Sequence, residues 1–257
     1  MDTVREGDTV LVYIDEKRKF VIRAERGKIL GTDRGYITHD EIIGRKYGEL
    51  VKTSMNQEAY ILKPLLQDYI AESKRVTQII YPKDAGLITH LSSIGPGSKV
   101  GEAGVGTGAL TITLATIIGD NGVVYGFDIL DKAIECTRQN LEKTGLIHRV
   151  ILMKKDIRED IDIEPLDAFF LDIPDPWNAL RSVYNVLKPS RPILIFTPTV
   201  NQVEKTIIAL LGMPFIDIHV YETILREYMI NPGAIRPRTR MIGHTGYIVF
   251  ARKVIKN

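Results

Sequence analysis

The chain has 257 residues, 44% of them hydrophobic and 26% charged, enough to bury a large core in one big domain or in one domain with a small companion. Its 34 Lys and Arg against 32 Asp and Glu leave a net charge of +2, so nothing in the bulk charge announces nucleic-acid binding and any such role must rest on local clusters. Apolar runs too short to span a bilayer, an opening M-D-T-V-R-E without a hydrophobic signal core, and a lone Cys136 that excludes an intrachain disulfide lead us to expect no membrane association and a cytoplasmic location.

Residues 1–53 are predicted to form a small β module, because alternating runs at 9–14 and 20–23 are separated by charged or Gly-containing turns at 15–19 and 31–35. Lys17, Arg18, Lys19, Arg23, Arg26 and Lys28 offer charge to RNA phosphates. Asp15, Glu16 and Glu25 are interleaved with them, and a solvated hairpin face accounts for the pattern equally well. Residues 54–93 read as a helical connection: Leu62, Leu65, Leu66, Tyr69 and Ile70 share one helix face that ends before Lys74 and Arg75. After Q-I-I-Y-P-K-D at 78–84, Asp84 is placed to cap a second helix through Leu91. This segment immediately precedes the first strand of the following sheet, where it is expected to fold over the mouth of a ligand site.

From 94 to 257 the chain is organised around V-G-E-A-G-V-G-T-G-A-L at 100–110. A strand, Lys99–Ala103, runs through Gly104, Gly106 and Gly108 into an apolar helix predicted over 107–118. Glycines at a strand-to-helix turn permit positive φ and let a ligand lie against main chain that faces it with free N–H groups. Gly104, Gly106 and Ala109 satisfy the dinucleotide pattern G-x-G-x-x-G/A, and Asp128 stands where a ribose contact belongs, so the turn alone is ambiguous between NAD and S-adenosylmethionine. Glu102 tips the balance, since a buried carboxylate repels a pyrophosphate and suits the amino and sulfonium cations of the methyl donor.

The remaining units alternate: strand 122–128, helix Asp131–Thr144, strand Val150–Lys154, strand 167–172, helix 178–187, strand 193–197, helix 201–211, strand 216–223. They predict a doubly wound, Rossmann-like α/β sheet. A loop over 231–245 leads to a last strand at 246–252, which lacks a crossover helix and is therefore expected to close the sheet antiparallel. A mostly parallel sheet with an antiparallel last strand fits the S-adenosylmethionine-dependent methyltransferase fold better than a dehydrogenase. Glu102, Asp128, Asp156 and Asp172 fall at or just past strand carboxyl ends, on the edge where such sheets hold ligands. Each alone has a bland reading as a cap or turn former. Asp128 is suited to the ribose hydroxyls, and Asp156 with the Ile157 N–H to the donor's adenine.

The segment L-D-I-P-D-P-W at 171–177 is held extended by its prolines and presents Asp172 to a planar substrate. D-x-P-x-P-W, together with E-A-G-x-G-x-G-A-L, Q-I-I-Y-P-K-D, R-P-R-T-R at 236–240 and H-T-G-Y at 244–247, resembles the tRNA adenine-N1 methyltransferases of the TrmI type over nearly the whole chain. The resemblance implies methyl transfer from S-adenosylmethionine, leaving S-adenosylhomocysteine, to N1 of the T-loop adenosine at tRNA position 58, with 57 also modified in some archaeal members, by a homotetramer. It puts the donor against Gln78, Glu102, Gly104, Val105, Gly106, Thr107, Gly108, Ala109, Leu110, Asp128, Asp156, Ile157 and Asp172. It also makes Asp172 the catalytic carboxylate and sets Tyr81 by the target base. Gly101 departs from the family's larger aliphatic residue and is expected to loosen the first strand.

The chemistry agrees with these residues. Adenine N1 attacks a sulfonium methyl directly, so an ionised Asp172 is expected to act by orientation and by stabilising charge that spreads to the exocyclic amine. N1 lies on the pairing edge, so the base must turn out into a pocket where Tyr81 or Trp177 stacks on it. Arg236, Arg238, Arg240 and His244 are candidates for tRNA phosphates, with subunit-interface ion pairs the alternative for the arginines and a satisfied loop histidine that for His244. No metal-binding constellation is predicted. The competing readings are a dehydrogenase on the same turn, a methyltransferase acting on another RNA or a small molecule, and a non-catalytic tRNA-binding subunit.

Overall fold

The computed structural model describes residues 2–74 and 77–255, which fall into two compact units: Met1–Lys74 with Glu142–Gly145, and Arg75–Leu141 with Leu146–Asn257. In the first unit, Thr9–Asp15 pairs antiparallel with Arg18–Arg23 on one side and Glu58–Leu62 on the other, and Leu50–Lys52 completes the four-stranded sheet. Val10, Val12, Ile37, Ile42, Ala59 and Ile61 form its buried core. Glu58–Leu62 corrects the helical reading of 54–93: Ala59 and Ile61 alternate with exposed Glu58 and Tyr60, a period of two that belongs to a strand. The helix itself is Leu66–Glu72, which ends before Lys74; Arg75 lies outside the described residues. Several of the basic side chains are already paired, Arg18 with Asp15 and Asp33, Arg26 with Glu6 and Asp40, and Lys28 with Glu25.

The second unit is built on seven strands: β1 Lys99–Ala103, β2 Val123–Asp128, β3 Val150–Lys154, β4 Ala168–Leu171, β5 Pro192–Thr197, β6 Phe215–Tyr221 and β7 Tyr247–Lys253. Their order is β6-β7-β5-β4-β1-β2-β3, with β5, β4, β1, β2 and β3 parallel. β7 runs antiparallel to its neighbours as expected, but it does not close the sheet from the edge. It is inserted between β5 and β6, with six Cα pairs from Pro192↔Arg252 to Thr197↔Tyr247. Central strands such as β1 and β4 are buried almost end to end, the mark of a parallel sheet covered on both faces.

The helices are α1 Pro82–Ser92, α2 Ala109–Ile118, α3 Asp131–Thr144, α4 Leu180–Val186 and α5 Val200–Leu211. α3 buries Ala133, Cys136, Thr137, Asn140 and Leu141, one stripe at helical spacing, and leaves the cysteine as a packing residue. α2 begins two residues later than the periodicity suggests, because Gly108 takes the left-handed conformation at φ 85°. Over 178–187 the expected single helix is split, since Pro176 starts a 3-10 turn, Pro176–Asn178, ahead of α4. Gly101 does not loosen β1. A Cβ there would lie 2.4 Å from the buried Phe169 ring, so the glycine makes room for that side chain. Among the described residues no helix is long and apolar enough to cross a membrane.

Candidate active site

At the carboxyl ends of the parallel strands a cavity of about 510 Å³ is lined by Thr77 to Tyr81, by the glycine turn, by Glu102, Asp128 and Asp172, and by Phe196, Pro198, Ile242, His244 and Thr245. The turn is anchored from beneath. Thr137 Oγ1 donates to the Gly106 carbonyl at 3.1 Å and Asn140 Nδ2 to the Thr107 carbonyl at 2.9 Å, both from α3, while Gly106 N–H donates to Asp128 Oδ2 at 3.2 Å. Helix α3 thus occupies the acceptors of the turn, an arrangement that pre-shapes its backbone for a ligand.

Two glycines are required by space. A Cβ on Gly104, at φ 88°, would sit 2.0 Å from the Asp172 carbonyl oxygen, and one on Gly106 would sit 2.6 Å from the Thr77 hydroxyl. Gly108 faces Thr137 and serves the start of α2 rather than the cavity wall.

Three carboxylates converge here. Glu102 is 2% exposed; its Oε2 makes no close hydrogen bond, and the nearby Thr111 hydroxyl favours its charged form. Burial pushes its pKa up to about 8, helped by the charges of Asp172 and Asp128. Burial likewise pushes Asp172 up to about 7, with Asp128 adding to it. In the protein by itself burial therefore leans Asp172 toward its protonated form, and a cation seated beside it favours the ionised form expected during methyl transfer. Among the described residues no Lys or Arg lines the cavity, and the basic residue that does is His244. A pyrophosphate would be set against three carboxyl groups in such a place, whereas a sulfonium and an ammonium group favour the ionised form of each. The buried Glu102 oxygen, which makes no close hydrogen bond, and the stretch of glycine backbone at 104 and 106 in the cavity wall both fit S-adenosylmethionine.

The wall also holds Gln78, Tyr81, Val105, Thr107, Ala109 and Leu110, as expected. Tyr81 caps α1, its carbonyl accepting from the Asp84 and Ala85 N–H groups at 2.9 Å each. Asp84 is accordingly not the cap; it is a fully buried residue in the first turn.

Asp156 and Ile157 do not line the cavity. Asp156 is claimed by Arg158, which donates to Oδ1 at 2.8 Å, holds its pKa below the usual carboxylate range and reaches on to Asp175 at 3.0 Å, while the Ile157 side chain lies in the core. Arg236, Arg238 and Arg240 are likewise not among its lining residues; Arg236–Pro237 pairs with Tyr228–Met229 in a small hairpin, and Arg238 meets Glu227 at 3.1 Å. His244 does line the cavity, but both ring nitrogens are engaged, Nδ1 with Glu222 at 2.7 Å and Nε2 with the Pro198 carbonyl at 2.9 Å. Two acceptors raise its pKa and leave no ring nitrogen for a phosphate. Thr77, Ile79, Ile80, Phe196, Pro198, Ile242 and Thr245 complete the wall and were not singled out by sequence; apolar and hydroxyl side chains near strand ends carry no chemical signature.

A family model for the "tRNA methyltransferase complex GCD14 subunit" matches residues 59–235, and one for the TrmI-like N-terminal region matches residues 3–51. This chain belongs to the GCD14/TrmI family of tRNA methyltransferases. A family member from Methanocaldococcus jannaschii, a tRNA (adenine(57)-N(1)/adenine(58)-N(1))-methyltransferase, is 34% identical over 94% of each chain. The tRNA (adenine(58)-N(1))-methyltransferase of Thermus thermophilus is 28% identical, covering 95% of this chain and 96% of its own. Among solved structures, the tRNA (m1A58) methyltransferase of Aquifex aeolicus superposes with a TM-score of 0.84 at 29% identity, over 99% of this chain and 100% of that one. A Thermotoga maritima protein described as a SAM-dependent O-methyltransferase superposes at 0.92 with 38% identity, over 100% of this chain and 96% of that one. The methyltransferase fold and the family expected from the sequence are both borne out.

Proposed function

We propose that this chain transfers the methyl group of S-adenosylmethionine to N1 of the T-loop adenosine of tRNA, at position 58 and with 57 as the second candidate. The observation that carries this reading is the cavity itself, in which Glu102, Asp128 and Asp172 meet beside a glycine turn, with no Lys or Arg among the described lining residues. The donor, when bound, supplies an electrophilic methyl on a cationic sulfur. Glu102 and Asp128 hold its cationic and hydroxyl groups, and the Gly104 and Gly106 backbone lets it lie close. Asp172, ionised in the field of that cation, accepts a hydrogen bond from the adenine exocyclic amine and stabilises the positive charge that N1 acquires. Tyr81, at the cavity mouth, packs against a base turned out of the T-loop.

A second reading has one observation behind it. A hydroxyl acceptor, the chemistry by which the Thermotoga protein is described, needs a base for its proton, and a carboxyl that titrates near pH 7 such as Asp172 would serve. Adenine N1 needs none before attack. Incubation with labelled S-adenosylmethionine and an unmodified tRNA transcript, beside transcripts replaced at 57 or at 58, separates the two. Label recovered as 1-methyladenosine and lost on replacement at 58 supports the first reading; label recovered in a 2′-O-methyl nucleoside overturns it.

We also read the chain as a homotetramer acting in the cytoplasm, with the N-terminal unit as a module accessory to the catalytic one. Exposed apolar side chains on β6 and just after it, Ile216, Val220, Ile224 and Leu225, support an assembly that covers them.

A further inference from the structure

Next to the cavity lies a buried polar cluster that the chemistry above does not use. Lys83 Nζ lies 2.8 Å from Asp84 Oδ1, and the two side chains are 9% and 0% exposed. The same ammonium donates to the Thr223 carbonyl at 2.8 Å, the Thr223 hydroxyl at 3.0 Å and the Thr245 hydroxyl at 2.6 Å. Both hydroxyls then donate to Asp84, Thr223 to Oδ1 and Thr245 to Oδ2, the latter at 2.7 Å. Three stretches distant in sequence, 81–84, 222–223 and 244–245, are thereby tied together.

A buried ion pair is a weak source of stability, since desolvating both charges consumes most of what their attraction returns. What this one does have is position. Thr245 lines the cavity itself beside His244, Lys83 and Asp84 follow the cavity residue Tyr81 in the first turn of α1, and Thr223 follows Glu222, the partner of His244. Glu222 and His244 are themselves paired at 2.7 Å, and His244 spans onward to the Pro198 carbonyl after β5. The charged groups facing His244 are Glu222 and Lys83, and its ring lies 4.9 Å from that of Tyr247.

We infer that Lys83, Asp84 and Thr223 are positioning residues that set the Tyr81 and His244 side of the cavity for the methyl acceptor. They touch neither acceptor nor donor; they fix the wall between which the acceptor is aligned. The glycine turn, Glu102 and Asp128 stand on other elements, so altering this cluster is expected to change donor affinity far less than turnover. The inference rests on the methyl-transfer reading for its kinetic half and on geometry alone for its structural half.

Thr223→Val tests it, because the substitution removes one hydroxyl at constant charge and shape, and Thr223→Ser restores that hydroxyl. Three quantities are read on each purified, full-length variant: the dissociation constant of S-adenosylhomocysteine, kcat/KM on tRNA transcript, and the His244 titration followed by NMR. For Thr223→Val the expected result is an S-adenosylhomocysteine affinity within about twofold of wild type, a kcat/KM down by roughly tenfold to a hundredfold, and a His244 pKa moved toward its ordinary value. Thr223→Ser is expected to recover both. Should Thr223→Val fail to fold, the paired Lys83→Met/Asp84→Leu variant, which leaves no buried charge unpaired, is read for donor affinity and kcat/KM with the same expectation. A folded variant that keeps wild-type kcat/KM, or that loses it without any movement of His244 in Thr223→Val, overturns the positioning role. If wild type itself fails to methylate tRNA, the proposed function falls instead, and the His244 titration still decides whether the cluster holds the wall.

Discussion

The carbonyl oxygen of Asp172 occupies the space that a Cβ on Gly104 would need, 2.0 Å from its ideal position. The donor turn after β1 and the D-x-P-x-P-W loop after β4 are therefore in backbone contact, and the Asp172 N–H completes the join by donating to the Ala103 carbonyl at 2.9 Å. One glycine sets how closely the donor side and the acceptor side of the cavity approach.

Gly104→Ala is expected to lose donor binding. The new methyl both demands φ 88° of an alanine and collides with main chain that cannot rotate away, so the turn and the Asp172 loop must separate. Calorimetric titration should show the S-adenosylhomocysteine affinity down by at least about tenfold, with destabilisation of roughly 1–3 kcal/mol in thermal unfolding.

Glu102→Gln is expected to weaken donor binding and to stabilise the protein alone at alkaline pH. Because the pKa of Glu102 is raised to about 8 on folding, the native state holds a proton that the unfolded chain releases, and stability falls as pH rises from about 4.5 toward 8. The neutral glutamine escapes that loss. Melting curves should separate by up to a few kcal/mol in favour of Glu102→Gln at pH 9 and coincide near pH 4.

The same sign holds for Asp172 with a functional consequence. Its ionised form is the stronger acceptor from the adenine amine and alone carries the charge that offsets the methylated base. With its pKa near 7 before the donor binds, kcat/KM on tRNA at subsaturating S-adenosylmethionine should therefore rise through about pH 7 and then level off. Asp172→Asn should abolish that limb and leave a low, flat rate. A wild-type profile flat from pH 5 to 9 would contradict an acceptor role for this carboxylate.

Lys253 offers a control away from the chemistry. Its ammonium donates to the carbonyls of Tyr184 and Leu187 at 2.6 Å each, closing the carboxyl end of α4, and lies 4.2 Å from the Tyr184 ring centroid. Lys253→Met should cost about 1–3 kcal/mol in denaturant unfolding and leave donor affinity unchanged.

The glycine turn, the alternation of strands and helices, and the acids at strand ends were legible because each leaves a short-range mark: a spacing, a periodicity, or a charge where burial is expensive. The insertion of β7 between β5 and β6 left none, since local sequence states only that no crossover helix precedes it. Glu58–Leu62 was hidden for a related reason. Its apolar residues continue into Leu62, Leu65 and Leu66, and that run reads as helical until the partner strands Thr9–Asp15 and Leu50–Lys52 are known. Asp156 was legible as an acid at a strand end; its capture by Arg158 two residues on depends on a turn that spacing does not reveal. The Lys83–Asp84 cluster sits in plain view in Q-I-I-Y-P-K-D, yet its partners lie about 140 residues away.

Asp172→Ala, assayed for donor affinity and for methyl transfer to tRNA, tests the central claim most directly. The account predicts an S-adenosylhomocysteine affinity within about threefold of wild type and a turnover reduced by roughly a hundredfold or more, because the charge that forms on adenine loses its acceptor while the donor turn is untouched. A variant that methylates tRNA at the wild-type rate would contradict it.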